Sequence, residues 1–306
     1  MKKLVVYQKT AVGYKRELLN SFGKGAQKHG VNVEFWDKDT LTTSDYALVF
    51  AYRSTGMGTP AHLFREKVYT NNPNSFFIDS NVLKYYETPE TRMFRLPFKS
   101  IHPHEADFLD IDEDTKKKTD RLKKEYKIEV KDWRTKGDHI LLSLNRGIGG
   151  FSSFGKPCYE WAKETVLELR KHTDRNILIR SHVHAKINDD LIRDRKNLDW
   201  ILKNVKGVRH TALGQSDMND DLKNAWATIV YTTTSGAVSL LKGIPTFTLH
   251  PACFFYKFGS GNLSNIENPN LPNRDEFLNY YANAHWSQKE MEDGTFWEKF
   301  KRQRYE

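Results

Sequence analysis

A run of hydroxyls, Tyr231-Thr232-Thr233-Thr234-Ser235-Gly236, is the part of this 306-residue sequence best suited to hold an anion. The apolar residues Ile229–Tyr231 read as the end of a strand and Gly236–Lys242 as a helix. Thr233, Thr234, Ser235 and Gly236 therefore fall where hydroxyls and backbone N–H groups meet the positive end of a helix dipole, a natural seat for phosphate. A plain helix cap would use only one of those hydroxyls. The following Leu241-Lys242-Gly243-Ile244-Pro245 returns the chain into another buried strand and holds the loop at a strand carboxyl end, the edge at which open α/β sheets bind ligands. Two further strands end in polar groups. Ile140–Leu144 empties into Asn145, Arg146 and Gly147, where glycine permits close backbone approach and Arg146 can pair with phosphate oxygens. Neither GxGxxG nor GxxxxGK[ST] is present, and the bland alternative is an ordinary βα connection. Ile177–Ile179 leads to Arg180, His182 and His184, a cation to neutralise a diphosphate and imidazoles to donate to it or to a leaving oxygen. Metal binding by His182 and His184 ranks below that reading, because no acidic partner is evident nearby.

In the first third of the chain, Phe76-Phe77-Ile78 delivers Asp79 to a strand end, a position from which a general base can reach an acceptor hydroxyl; capping the next helix is the commoner use of such an Asp. Arg53, His62 and Arg65, around a Gly- and Thr-containing loop, are candidates to meet an anionic acceptor, or are ordinary surface charges. Asp45 is a less favoured base, since it precedes its strand.

These groups require strands to carry them. Leu4–Tyr7, Val31–Phe35, Tyr46–Phe50 and Ser75–Ile78 read as short strands, and Tyr14–His29 carries Leu18, Leu19, Phe22 and Ala26 at helical spacing. From His139 the alternation repeats: strands at Ile140–Leu144, Asn176–Arg180, Val208–Thr211, Thr228–Tyr231 and Thr246–Leu249, with helices between. The expected fold class is α/β, two Rossmann-like lobes facing a cleft. The expected domains are an acceptor-side lobe over 1–110, a charged helical connector over 111–135, a donor lobe over 136–287 and a terminal helix over 288–306 that is free to pack back on the first lobe.

Composition bounds the partners. At 38% hydrophobic and 13% aromatic residues the chain folds, and its length suits two domains. The net charge of +9 favours an acidic partner. The apolar opening Leu4–Tyr7 is shorter than the roughly 7–15 residues of a signal peptide, and no run approaches the roughly 18 of a membrane span. Only Cys158 and Cys253 occur, without zinc-site spacing, which fits a reducing cytoplasm and two buried thiols.

Ser235-Gly236-Ala237 with Gly243-Ile244-Pro245 resembles the S-[GA]-A…G-[IV]-P donor segment of two-lobed (GT-B type) nucleotide-sugar glycosyltransferases. Ile179-Arg180-Ser181-His182 is similar to the R-P-H strand end of capsule- and Kdo-transferase-like members, with Ser181 in place of proline. Asn262–Pro269, Arg274–Trp286 and Glu290–Trp297 resemble glycosyltransferases common in tailed bacteriophages. The resemblance runs from Ile140 to Phe300 and implies a nucleotide-sugar donor, a UDP-sugar first, held in the second lobe. Thr233, Thr234 and Ser235 would hold the diphosphate, Arg146 and Arg180 would compensate its charge, and Glu267 would bond a ribose or sugar hydroxyl or else pair within its own loop. It implies no tightly bound cofactor and no metal. With the positive charge it makes hydroxymethylated pyrimidines of double-stranded phage DNA, presented by base flipping, the favoured acceptor. The alternatives are transfer to a cell-surface glycan and a non-catalytic nucleic-acid-binding module.

Overall fold

The structure, a computed structural model, describes residues 1–50, 60–145, 157–182, 189–211 and 216–305. Along the chain run β1 (Lys3–Tyr7), α1 (Tyr14–Lys28), β2 (Asn32–Trp36), β3 (Tyr46–Phe50), α2 (Pro60–Asn71), β4 (Ser75–Ser80), β5 (Met93–Arg95) and α3 (Glu113–Glu125). There follow β6 (His139–Ser143), α4 (Cys158–Leu169), β7 (Asn176–Arg180), α5 (Asp189–Asn204), β8 (Val208–Thr211), α6 (Met218–Lys223), β9 (Ala225–Val230), α7 (Ser235–Leu241) and β10 (Thr246–Thr248). The chain closes with α8 (Arg274–Ala284), β11 (His285–Ser287), α9 (Gln288–Glu292) and α10 (Thr295–Arg304). No helix among the described residues is long and apolar enough to cross a membrane.

The chain forms two α/β units of Rossmann-like build. One comprises the described residues up to 128 together with those from 275 on, and the other residues 129–274. The first holds a six-stranded sheet in the order β11-β5-β4-β3-β1-β2, in which β1 to β4 are parallel and β5 runs antiparallel to both its neighbours. α1 presents Leu18, Leu19, Phe22 and Ala26 to this sheet, the face its spacing predicts. Against it lies an aromatic cluster shared with α10: Phe76 stacks on Phe98 at 4.4 Å, and Trp297 and Phe300 lie 5.3 and 5.1 Å from Phe76. The three α10 rings, Phe296, Trp297 and Phe300, are almost fully buried. Together they contribute on the order of 5–9 kcal/mol by area, comparable with the whole net stability of a domain, about 5–15 kcal/mol. α10 is therefore integral to the first unit.

Three expectations about organisation change. The charged stretch read as an exposed connector is helical at α3, but it packs into the first unit through Thr115, Thr119 and Leu122. A capping box between Asp112 and Thr115 starts it, and Lys299 reaches Asp112 from α10 at 2.9 Å. Residues 275–287, assigned from sequence to the donor lobe, also belong to the first unit, because β11 pairs with β5. The terminal helix is two helices, broken at Gly294, whose φ of 95° is open to glycine and strained for other residues.

The second unit is a five-stranded, all-parallel sheet in the order β10-β9-β6-β7-β8. The chain starts at the central β6, winds outward through β7 and β8, then crosses back to β9 and continues to β10. The winding direction reverses between β6 and β9, so the carboxyl ends of those two strands flank the switch point at which doubly wound sheets bind ligands. Gly243 makes the tight return from α7 into β10 at φ 70°, where an added Cβ would lie 1.9 Å from the Asp132 carbonyl oxygen.

Candidate functional site

At this switch point the loops after β6 and β9 are laced together. Asn145 donates its amide to Thr232 Oγ1 at 2.6 Å and accepts from the Thr232 N–H at 3.2 Å. Nearby, Ser235 Oγ donates to Ser143 Oγ at 2.8 Å. The hydroxyl run does not cap α7: Thr234 occupies the cap position in helical conformation without a side-chain bond. The N–H groups of Gly236 and Ala237 turn back onto the Thr233 and Thr234 carbonyls at 3.3 and 3.0 Å. The seven-residue α7 thus offers little dipole or free amide, contrary to the expectation from sequence. The exposed and half-exposed hydroxyls of Thr232, Thr233 and Thr234 are what this edge presents outward.

Arg180 is at the carboxyl end of β7, as its sequence position predicts, but its guanidinium is not aimed outward. It forms a buried ion pair with Asp221 and donates to Ser216 Oγ at 2.8 Å and the Ser216 carbonyl at 3.2 Å. Ser216 Oγ in turn donates to Asp221 at 2.9 Å. Arg180 and Asp221 are 8% and 6% exposed, so the pair is a fastening between β7 and α6 rather than a free cation. His182 follows it, half-buried. Between them, Ser181 bonds both Tyr159 OH at 3.0 Å and His210 Nε2 at 2.9 Å, and burial, reinforced by the Arg195 charge, pushes the His210 imidazole below its ordinary value. His210 is therefore neutral at neutral pH. This polar group was missed in the sequence, because Tyr159 sits on a helix face and His210 in a short strand, with no local cue joining them.

Two other residues expected at the donor edge have different surroundings. Glu267 lies at the opposite, amino edge of the sheet: it accepts from Arg175 Nε at 3.0 Å and pairs with Arg175 Nη2 at 2.9 Å, one residue before β7 begins. Burial raises its carboxyl, but the Arg175 and Thr173 hydrogen bonds outweigh that and hold it below the usual range. Pairing within the unit is the alternative the geometry takes. Gly236 has a steric role inside the protein, since a Cβ there would come within 2.6 Å of the Phe255 ring. A residue not singled out, His250, stacks on Tyr231 at 4.7 Å beside the ends of β9 and β10. Arg146, Gly147 and His184 lie outside the described residues.

In the first unit, Asp79 stands opposite Arg95 in the β4–β5 register and is ion-paired to it, while also accepting from the Ser80 N–H at 2.7 Å. Arg65 braces the loop after β1 by donating to Thr10 Oγ1 at 3.0 Å and to the Thr10 carbonyl at 2.9 Å. His62 is turned into the protein, 4% exposed, with Nε2 3.2 Å from the Glu66 carboxylate. Arg53 lies outside the described residues. No cluster of three or more metal-ligating side chains occurs among the described residues.

No protein-family model matches the sequence, and no curated protein matches it. Solved structures do. The β-Kdo 2,7-transferase of Thermosulfurimonas dismutans KpsC superposes with a TM-score of 0.51 at 12% identity, covering 97% of this chain and 99% of that one. The β-Kdo 2,4-transferase of the same KpsC gives 0.51 at 12% identity, covering 92% and 90%. At this identity the likeness is one of fold, and it establishes the GT-B-like α/β class for this chain.

Proposed function

We propose that this protein is a glycosyltransferase that takes a sugar from a nucleotide donor bound at the carboxyl edge of the second unit. The observation that carries the proposal is the convergence of Asn145, Thr232, Thr233, Thr234 and Ser235 at the switch point of a parallel sheet. The KpsC structures whose fold it resembles carry transferase names, and their Kdo chemistry supports sugar transfer over plain nucleotide binding. In this reading the threonine hydroxyls donate to phosphate oxygens, and Asn145 holds their loop at fixed distance from β6. Preorganised donors of this kind favour the departing phosphate because they need no reorganisation as charge develops on it. Arg180 contributes by fixing the β7 end. Arg146, next to Asn145 in the sequence, is the cation assigned to the donor phosphate.

Asp79, oriented by Arg95, is the group assigned to accept the proton of the acceptor hydroxyl, with Arg65 and His62 shaping the neighbouring loops of the first unit. For the acceptor, a cell-surface glycan is the reading favoured by likeness to Kdo transferases. A hydroxymethylated pyrimidine in duplex DNA is the second, supported by the net charge of +9.

The test is calorimetric titration with a panel of cytidine and uridine nucleotides and their sugars, followed by transfer assays on glycan and hydroxymethylated DNA acceptors. The proposal expects saturable binding of at least one nucleotide, weakened about tenfold or more in a Thr233→Val/Thr234→Val variant, as loss of two hydrogen bonds to a charged group requires. Failure of every nucleotide to bind, or equal binding by that variant, would remove the donor site.

A further inference from the structure

We propose that Tyr159, Ser181 and His210 are positioning residues that set His182 against the donor phosphate in the second unit. The inference rests on the donor reading above and names the groups behind one of its side chains. Side chains alternate between the two faces of a strand, so the consecutive residues Arg180 and Ser181 leave the end of β7 on opposite sides. Arg180 reaches Asp221 on α6. Ser181 Oγ reaches Tyr159 OH on α4 at 3.0 Å and His210 Nε2 on β8 at 2.9 Å. The backbone between these fastenings continues the ladder to β6, the Leu144 N–H donating to the Arg180 carbonyl at 2.9 Å. His182 is the next residue, half-buried. Because Ser143 is the register partner of Arg180, His182 and Asn145 leave neighbouring strands at the same level.

Tyr159 is itself held from behind. The N–H groups of Tyr159 and Glu160 donate to the carboxylate of Asp194 on α5 at 2.6 and 3.0 Å, and Asp194 is buried. That carboxylate caps the first turn of α4, where Pro157 brings no side-chain cap. The phenol is thus delivered to Ser181 from a fixed helix end. His210, kept neutral by burial, accepts at Nε2 from the serine hydroxyl, which leaves Ser181 Oγ to accept from Tyr159 OH; in this order each shared proton has one acceptor. Three elements, α4, β7 and β8, meet at one oxygen.

Fastening alone does not call for these groups. Ile177 and Ile179 precede Ser181 on the same face of β7 and are fully buried. An alanine after them would pack against a phenylalanine on α4 with little loss, because replacing both partners of a buried hydrogen bond by apolar groups of similar shape is nearly neutral. Hydrogen bonds add direction, which apolar contact lacks. An imidazole that must meet a phosphate oxygen needs its support held to within about 0.5 Å. The residue so supported is the one immediately after Ser181, at the carboxyl edge where Asn145 and the threonine hydroxyls converge.

The experiment titrates the full chain calorimetrically with the mono- and diphosphates of cytidine and uridine. It is repeated with Ser181→Ala, Ser181→Thr, His182→Ala and Ser181→Ala/His182→Ala. Thermal melts establish that each variant folds, and Tyr159→Phe, which keeps the ring, takes the place of Ser181→Ala if that variant does not. The inference expects His182→Ala and Ser181→Ala each to weaken nucleotide binding about fivefold or more, and Ser181→Thr, which keeps the hydroxyl, to stay within about twofold of the parent. The double variant should bind no more weakly than His182→Ala, because a group that acts through His182 then has nothing left to position. Additive losses, unchanged affinity in either single alanine variant, or a Ser181→Thr variant as weak as Ser181→Ala would overturn it while leaving the donor site in place. Failure of the parent to bind any of these nucleotides overturns the donor reading itself, and this inference with it.

Discussion

Breaking the Arg180–Asp221 pair separates two roles that the same arginine could have. Asp221→Leu leaves a guanidinium in a site where it is 8% exposed, bonded among the described residues to the Ser216 hydroxyl and carbonyl. Removing one partner of a buried ion pair costs about 3–5 kcal/mol, because the remaining charge is desolvated without compensation. Against a domain stability of about 5–15 kcal/mol and a urea slope of about 1–3 kcal/mol per molar, the midpoint of the second unit should drop by about 1–5 M. Arg180→Met, which leaves Asp221 with its Ser216 bond at 2.9 Å, should cost somewhat less. The double variant Arg180→Met/Asp221→Leu removes both charges and replaces them with apolar volume, so stability should return to within about 1 kcal/mol of the parent. Urea denaturation of the four proteins measures the cycle. Nucleotide titration then reads function on the stable double variant: affinity within about threefold of the parent is expected if Arg180 only fastens β7 to α6. Additive losses in the cycle would refute the buried-pair argument. A stable double variant that no longer binds nucleotide would return Arg180 to the ligand.

Three further perturbations test other links. Asn145→Ala removes both bonds to Thr232 and should weaken nucleotide binding several-fold at a cost of about 1 kcal/mol in stability, read by titration and urea denaturation respectively. Gly25→Ala would place a Cβ 1.9 Å from the Met291 carbonyl oxygen, a backbone atom that cannot yield without parting α1 from α9; a loss of about 3 kcal/mol is expected in a thermal melt. His285 is buried, stacked on Tyr281 at 4.2 Å and bonded through Nδ1 to the Tyr281 carbonyl at 2.9 Å, and burial pushes it well below its ordinary value. The unfolded chain therefore takes up a proton that the folded one refuses. Stability is full above the ordinary histidine value near 6.5 and falls as pH drops below it, by up to about 1.4 kcal/mol per unit. Denaturation midpoints between pH 7 and 5 should show that slope in the parent and a flatter one in His285→Gln.

The strands and their ends were legible because they depend on short-range pattern. Ile177–Ile179 is apolar over successive positions, and β7 ends at Arg180 where the pattern stops. The three-residue strands β5 and β11 were not legible, since Met93–Arg95 and His285–Ser287 carry too few alternations to register and are held by pairing across nearly two hundred residues. The connector reading of α3 failed for a related reason. Its sequence is charged on nearly every turn, yet Lys118 and Thr115 point inward because α10 supplies Lys299 and α9 supplies Glu290 to meet them. Mean composition over that segment cannot reveal which of its charges will be paired.

The candidate site divides along the same line. Proximity of Asn145 and Thr232 follows from the topology, because β6 and β9 are neighbours on either side of the reversal, and a reading that places both at strand carboxyl ends already brings them together. The orientation of a charged side chain does not follow. Arg180, Glu267 and Asp79 each sit near the end of an element or beside one, as read from sequence, while Arg65, read as part of a loop region, lies within α2; each is committed to a partner from elsewhere in its unit: Asp221, Arg175, Arg95 and Thr10. Desolvation explains the regularity, since a charge partly withdrawn from water must find a partner, while a threonine hydroxyl can remain at the surface at little cost. The consequence is that net charge is a poor guide to where this protein meets an anion.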